Sequence, residues 1–184
     1  MTALPSRVLL YGVTGSGKST AARRLAEVSG LPFVDVDEVC WQPGWVQVTV
    51  EEQRRRFTEI CARDQWVLDT AYGVWTDVAL ARAELVLALD YPRWVSLARL
   101  VRRTASRIVR RTEVCKGNWE TVLRALDDDS IIRWHFRSFR SKRERILAWE
   151  ADPAMPPVLR FTRTRDLDEW IDGVPQSLEV RPTR

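Results

Sequence analysis

A single histidine, His135, stands in the 184 residues, which argues against a histidine-based catalytic triad or a multi-histidine metal site. Cysteine is almost as scarce. Cys40, Cys61 and Cys115 are odd in number, far apart and without a C-x-x-C pair, so a disulfide framework and a zinc site are both disfavoured. No stretch approaches 18 uninterrupted apolar residues, and Met1-Thr2-Ala3-Leu4-Pro5 holds no secretory apolar core. The expectation is a cytoplasmic protein with no membrane partner. Hydrophobic residues at 45% and charged residues at 29% are ordinary for a globular chain and argue against disorder except at the ends. We expect one domain over residues 1–179 and a loose tail over 180–184.

What the chain does have comes early. Gly12-Val13-Thr14-Gly15-Ser16-Gly17-Lys18-Ser19 spells G-x-x-x-x-G-K-[ST], directly after the apolar run Val8-Leu9-Leu10-Tyr11 and before the helix-favouring 20–27. The glycines let the backbone turn so that successive N–H groups and a helix N-terminus face phosphate oxygens. Gly12, Thr14, Gly15, Ser16, Gly17, Lys18, Ser19 and Thr20 are the candidate nucleotide ligands. Lys18 would neutralise the β- and γ-phosphates of ATP, and the Ser19 hydroxyl would hold Mg²⁺.

Strand and helix signals then alternate, the pattern of a parallel sheet covered on both faces. Strands are predicted at 8–11, 33–37, 66–69, 85–90 and 158–161. Helices are predicted from Lys18 to just before Gly30, from the capping box Thr49-Val50-Glu51-Glu52 to about 63, near 75–82, from Pro92 to about 110, over 131–150 and over 166–172. Residues 40–45 read as a loop. Residues 117–130 read as a mobile insertion with a short helix.

Acids fall where such sheets place their ligands, at strand C-terminal ends. Asp69 is the candidate to hold Mg²⁺ beside Ser19. Asp37, with Asp35 two residues before it, would orient an acceptor or take its proton. The net charge is only +4, but arginines cluster. Arg99, Arg103, Arg107 and Arg110 share one helix face, and Arg133, Arg137 and Arg140 share another. Two arginine faces call for an anion between them; nucleotide phosphates suffice, and a nucleic-acid backbone competes. We expect Arg103 and Arg107 to help bind the nucleotide and Arg133 and Arg137 to stabilise the transferring phosphoryl group.

The phosphate motif, Val36-Asp37, Trp41-Gln42-Pro43-Gly44-Trp45, Trp66-Val67-Leu68-Asp69, Leu89-Asp90-Tyr91-Pro92-Arg93-Trp94, Gly117-Asn118-Trp119-Glu120 and the late arginine helix together resemble the adenylate-kinase-like P-loop proteins known as DNA topology modulation proteins. The resemblance runs from about residue 7 to 172. It implies a three-layer α/β P-loop NTPase fold of nucleoside-monophosphate-kinase type. Such a fold has a five-stranded parallel sheet flanked by helices, a substrate-binding segment over about 38–65 and an arginine-bearing lid over about 110–132. Where these proteins read D-G-N-Y, this chain has Asp69-Thr70-Ala71-Tyr72.

Nine tryptophans are many for this length. Trp41 and Trp45 flank Pro43-Gly44 and could stack on a base or another flat substrate; packing of the loop onto the sheet is the competing role. Asp37, Trp41, Trp45 and Tyr72 form the candidate acceptor set. The expectation is an ATP- and Mg²⁺-dependent kinase of a small molecule, a nucleotide or nucleoside first, acting as monomer or homodimer. Phosphoryl transfer needs little beyond positioning and charge neutralisation, so the scarcity of histidine and cysteine is no obstacle. The alternatives are a nucleotide-switched regulatory protein using its arginines on nucleic acid, or a kinase of a non-nucleotide acceptor of shikimate type, suggested by Asp35-x-Asp37.

Overall fold

Five parallel strands form the central sheet of the computed structural model, which describes residues 4–110, 114, 117–118 and 130–174. In chain order the elements are β1 (Arg7–Gly12), α1 (Lys18–Ser29), β2 (Phe33–Val34), α2 (Val36–Cys40), β3 (Trp41–Gln42), β4 (Val46–Gln47) and α3 (Val50–Cys61). Then come β5 (Trp66–Leu68), α4 (Thr76–Leu80), β6 (Leu85–Leu89), α5 (Arg93–Arg110), α6 (Ile131–Ala151), β7 (Val158–Phe161) and α7 (Thr164–Asp172). The predicted tail and most of the predicted lid, including Trp119, lie outside the described residues.

The strand order is β2-β5-β1-β6-β7 with every pairing parallel. A parallel sheet must be covered on both faces, and β1 shows how. Val8 and Leu10 join Leu25, Leu87, Phe161 and Ile171 on the α1 and α7 side. Leu9 and Tyr11, one residue out of phase, join Phe57, Trp66, Trp75, Ile146 and Trp149 on the α3, α4 and α6 side. The alternation of side chains along one strand therefore makes the three layers. Phe57 and Trp75 stack at 3.6 Å between centroids on the second side.

Two expectations need correction. The second strand stops at Val34, because the Asp35 carboxylate accepts the Glu38 N–H at 3.3 Å and caps a helix there. Asp37 thus sits in the first turn of α2, not on a strand end. Residues 41–47 form not a plain loop but a two-stranded hairpin, β3 with β4, turning through Gly44. The Thr49 cap stands as expected, its side chain accepting from Glu52 N.

Candidate active site

The cradle leaves β1 at Gly12 and enters α1 at Lys18. Gly17, in the left-handed region at φ 97°, is the N-cap, and no side chain caps the helix. Its first N–H groups point at whatever lies over the loop, a ready anion site. Gly15 has φ 83°, and a Cβ there would lie 2.4 Å from Ser96 O and 2.8 Å from Leu100 Cβ. Only glycine lets α5 press so closely on the loop. The Ser16 hydroxyl is buried and has no hydrogen-bond partner among the described residues. A buried polar atom of this kind on a phosphate loop fits a phosphate oxygen as its partner.

Lys18 donates to Val13 O at 2.9 Å. Burial lowers its pKa to about 8 against the raising influence of Asp69 and Asp37, and Arg103 adds a further lowering. The lysine therefore lies within electrostatic reach of both candidate acids and of one α5 arginine. Asp69, 2% exposed just after β5, accepts from Val36 N at 3.0 Å and from the Ser19 hydroxyl. Burial raises its pKa, and the two hydrogen bonds oppose that. A carboxylate and a hydroxyl meeting beside the cradle are the hard oxygen donors that Mg²⁺ takes alongside phosphate and water. Among the described residues no three acids, histidines or cysteines gather into a metal cluster. Thr20 is exposed on the first turn of α1.

Asp37 and Tyr72 come together as the acceptor set required. Trp41 Nε1–H donates to Tyr72 OH at 3.1 Å, and Tyr72 OH donates to Asp37 at 2.5 Å. Burial and the Asp37 charge push the tyrosine pKa far up, so it stays a neutral donor. Asp35 is unavailable, held by its cap and by Arg23 at 2.7 Å. Trp41 and Trp45 meet edge to face at 5.8 Å and 77°, so the pair does not offer two parallel faces to one flat ligand. Cys40, beside this set, is an inert thiol pushed up to about 12 by burial.

The arginines divide. Arg99 donates to Ser16 O at 3.2 Å, and Arg103 acts on Lys18 as noted; Arg107 is half-buried further along α5. Arg133 and Arg137 are exposed. They lie about 160–200° around α6 from His135, whose Nδ1 is 2.9 Å from Thr14 O. The structure thus turns toward the cradle not the arginine face of α6 but its opposite, with His135, Ser138 and Lys142. A carbonyl only accepts, so His135 Nδ1 carries the proton, and burial lowers its pKa. Arg99 and His135 touch the cradle and Asn118 the hairpin, and none of the three was among the candidate site residues of the sequence. The non-arginine polar residues His135, Ser138 and Lys142, three and four positions apart in an otherwise arginine-rich helix, were the available signal. Asn118 accepts from Trp45 N at 2.7 Å and donates to Gln42 O at 2.9 Å, clasping the hairpin turn.

Sheet order, cradle and flanking helices define the class: this is the fold of the P-loop kinases. No family model matches the chain. Of solved structures, a gluconokinase from Sinorhizobium meliloti 1021 is similar with TM-score 0.52 and 15% identity, over 93% of this chain and 90% of that one. A shikimate kinase from Bacteroides thetaiotaomicron gives TM-score 0.54 and 15% identity over 90% and 94%. At such identities the likeness is one of fold. A curated relative, the ATP-dependent protease ATPase subunit HslU of Staphylococcus haemolyticus (strain JCSC1435), is 35% identical over 80 residues. That match takes in 43% of this chain but spans only 17% of the relative's length.

Proposed function

We propose that this chain is an ATP-dependent phosphotransferase whose acceptor is a small molecule presenting a hydroxyl or phosphate oxygen to Asp37. One observation carries the reading: Lys18, at the mouth of a phosphate cradle, feels both Asp69 and Asp37. The Asp69 and Asp37 carboxylates thereby share one cation at the cradle, where donor phosphates would sit. Asp69 and Ser19 would hold Mg²⁺, which when bound neutralises phosphate charge. Lys18, Arg99 and Arg103 add positive charge from the protein side, and the backbone N–H groups of the cradle fix the phosphates. Asp37, held by Tyr72, orients the acceptor oxygen and takes its proton. The kinase names of the solved structures similar in fold support this class of acceptor chemistry. The resemblance to DNA topology modulation proteins and to adenylate kinases keeps nucleotides among the acceptors to be tried, and a cytoplasmic location goes with either.

The test is ADP release from Mg-ATP against a panel of nucleoside monophosphates, nucleosides and small hydroxy compounds, gluconate and shikimate included. Acceptor-dependent release that Lys18→Ala abolishes is the expected result. Equal ATP affinity in Lys18→Ala and the parent protein overturns it. The exposed arginines of α5 and α6 favour nucleic acid as the second reading. Micromolar DNA binding that collapses steeply with salt, without any acceptor-dependent turnover, would select it.

A further inference from the structure

Lys142 is a half-buried amine that the phosphotransfer scheme leaves unused. It lies on the inner face of α6, seven residues and so two turns beyond His135. Its Nζ stands 4.3 Å from the centre of the Tyr11 ring, on the strand that feeds the cradle. With Val13 of the cradle itself and Asp90 it lines a small cavity directly behind the loop. The Asp90 carboxylate is already engaged by Arg143 at 3.5 Å and Arg160 at 3.3 Å. The other charges facing Lys142 are positive: Lys18 from the cradle, and Arg145, which donates to Tyr11 OH at 3.1 Å. His135, on the same face, is bonded to Thr14 O, and Arg93 of α5 lies over the Phe139 ring at 4.6 Å. Among the described residues no carboxylate pairs with Lys142.

We propose that Lys142 is a second phosphate-responsive lysine of this cradle, taking a proton from solvent when a nucleoside di- or triphosphate is seated and answering its charge from behind the loop. The proposal rests on the nucleotide reading above. In the protein alone, partial burial first and then the positive charges of Lys18 and Arg145 lower its pKa to about 7. Phosphates brought into the same low-dielectric region reverse that balance and raise the pKa of the bound state. The proton comes from buffer and ends on Nζ; no other bond changes.

The sign of the pH dependence follows. Below about pH 7 the amine is charged with and without ligand, and its attraction for phosphate is fully present. As pH rises from there to the bound-state pKa, binding must draw a proton in. Above that value the amine is neutral in both states and the attraction is lost.

Calorimetry of metal-free ADP at about pH 8, in two buffers of different ionisation enthalpy, reads the proton directly. The parent protein should take up more than about half a proton per ADP, and none with adenosine. Lys142→Met and Lys142→Arg should both lose at least about half of that uptake, since neither side chain titrates in this range. Affinity separates the two variants. Lys142→Arg keeps it, while the parent-to-Lys142→Met ratio should shrink from about tenfold at pH 7 toward unity by about pH 9.5. Lys142→Arg decides the matter should the methionine variant fold poorly. An equal proton count in the parent and Lys142→Arg overturns the role of Lys142 while leaving the nucleotide site standing. Failure of the parent to bind ADP at all overturns the nucleotide reading and this inference with it.

Discussion

Asp69 is asked to do two things, and a single atom change separates them. One oxygen accepts the Val36 N–H and so seats α2; the carboxylate charge beside Ser19 is what a metal would use. Asp69→Asn retains an acceptor for Val36 and loses the charge. The variant should keep its thermal stability within a few degrees and bind ATP without metal as the parent does. The extra affinity brought by Mg²⁺ should vanish, and an undiminished Mg²⁺ response in titration would move the metal role to Asp37. Lys18→Ala removes a charge-assisted contact of about 1.5–3 kcal/mol, so ATP affinity should fall about tenfold or more with an unchanged melting curve. These cradle residues were legible in the sequence because their chemistry is local: glycines, lysine and serine at fixed spacing dictate one loop. Asp37 was legible as an acid near the phosphates but not in its setting. Whether a short apolar run ends as strand or caps a helix depended on the Asp35 side chain finding Glu38 N, a local competition that a strand pattern does not display.

Two contacts between elements each have a single residue at their centre, one at the cradle and one at the hairpin. On the α5 side it is Gly15. A Cβ there meets Ser96 O and Leu100 and must also adopt φ 83°, so Gly15→Ala should cost about 2–4 kcal/mol from overpacking and left-handed strain. At this chain length that is a fall of roughly 5–12 °C in Tm by calorimetry; an unshifted Tm would mean that α5 does not press on the loop in solution. On the acceptor side it is Asn118. Its amide closes the hairpin turn through Trp45 and Gln42, and Trp45 itself holds φ 58°, a conformation uncommon outside glycine. Asn118→Ala should speed exchange of the Trp45 amide by about tenfold or more, on the scale of one lost hydrogen bond, with the sheet amides unchanged. Asn118→Asp keeps the Trp45 bond but sets a carboxylate against the Gln42 carbonyl, so its hairpin should open further than that of the alanine variant. Faster exchange in neither variant would show the clasp to be absent. Helices and strands carrying strong periodicity were legible, from the α3 capping box to β7. The hairpin was not, because two-residue strands carry no alternation to read and this one is tied by a residue over 70 positions away.

At the scale of the molecule, the sheet places β1 between β5 on one side and β6 on the other, so chain connections depart in opposite directions from the strand that carries the cradle. Ligands of open parallel sheets bind at such a point. Acids arrive there from β5 and α2, and cations from α5 and the inner face of α6. Among the described residues many other arginines are exposed, which is why the composition alone suggested a nucleic-acid surface: a sequence displays the number of arginines on a helix but not which face the core will claim. On α6 the core claimed His135, Ser138, Ile146 and Trp149, and the arginine face turned out. The two arginine sets therefore predict different losses. Arg103 bears on Lys18, and Arg103→Ala should lower kcat by about 10²-fold, as for a lost preorganised charge donor, with a smaller change in ATP affinity. Arg137→Ala should leave kcat within a few-fold of the parent, because the His135–Thr14 bond holds the opposite face of α6 against the loop. An equal loss in both variants would mean that α6 turns about its axis when ligands are bound. Hydrogen exchange then decides the cause: protection of residues 131–140 by ATP with an acceptor analogue would accompany such a turn, and unchanged protection would exclude it.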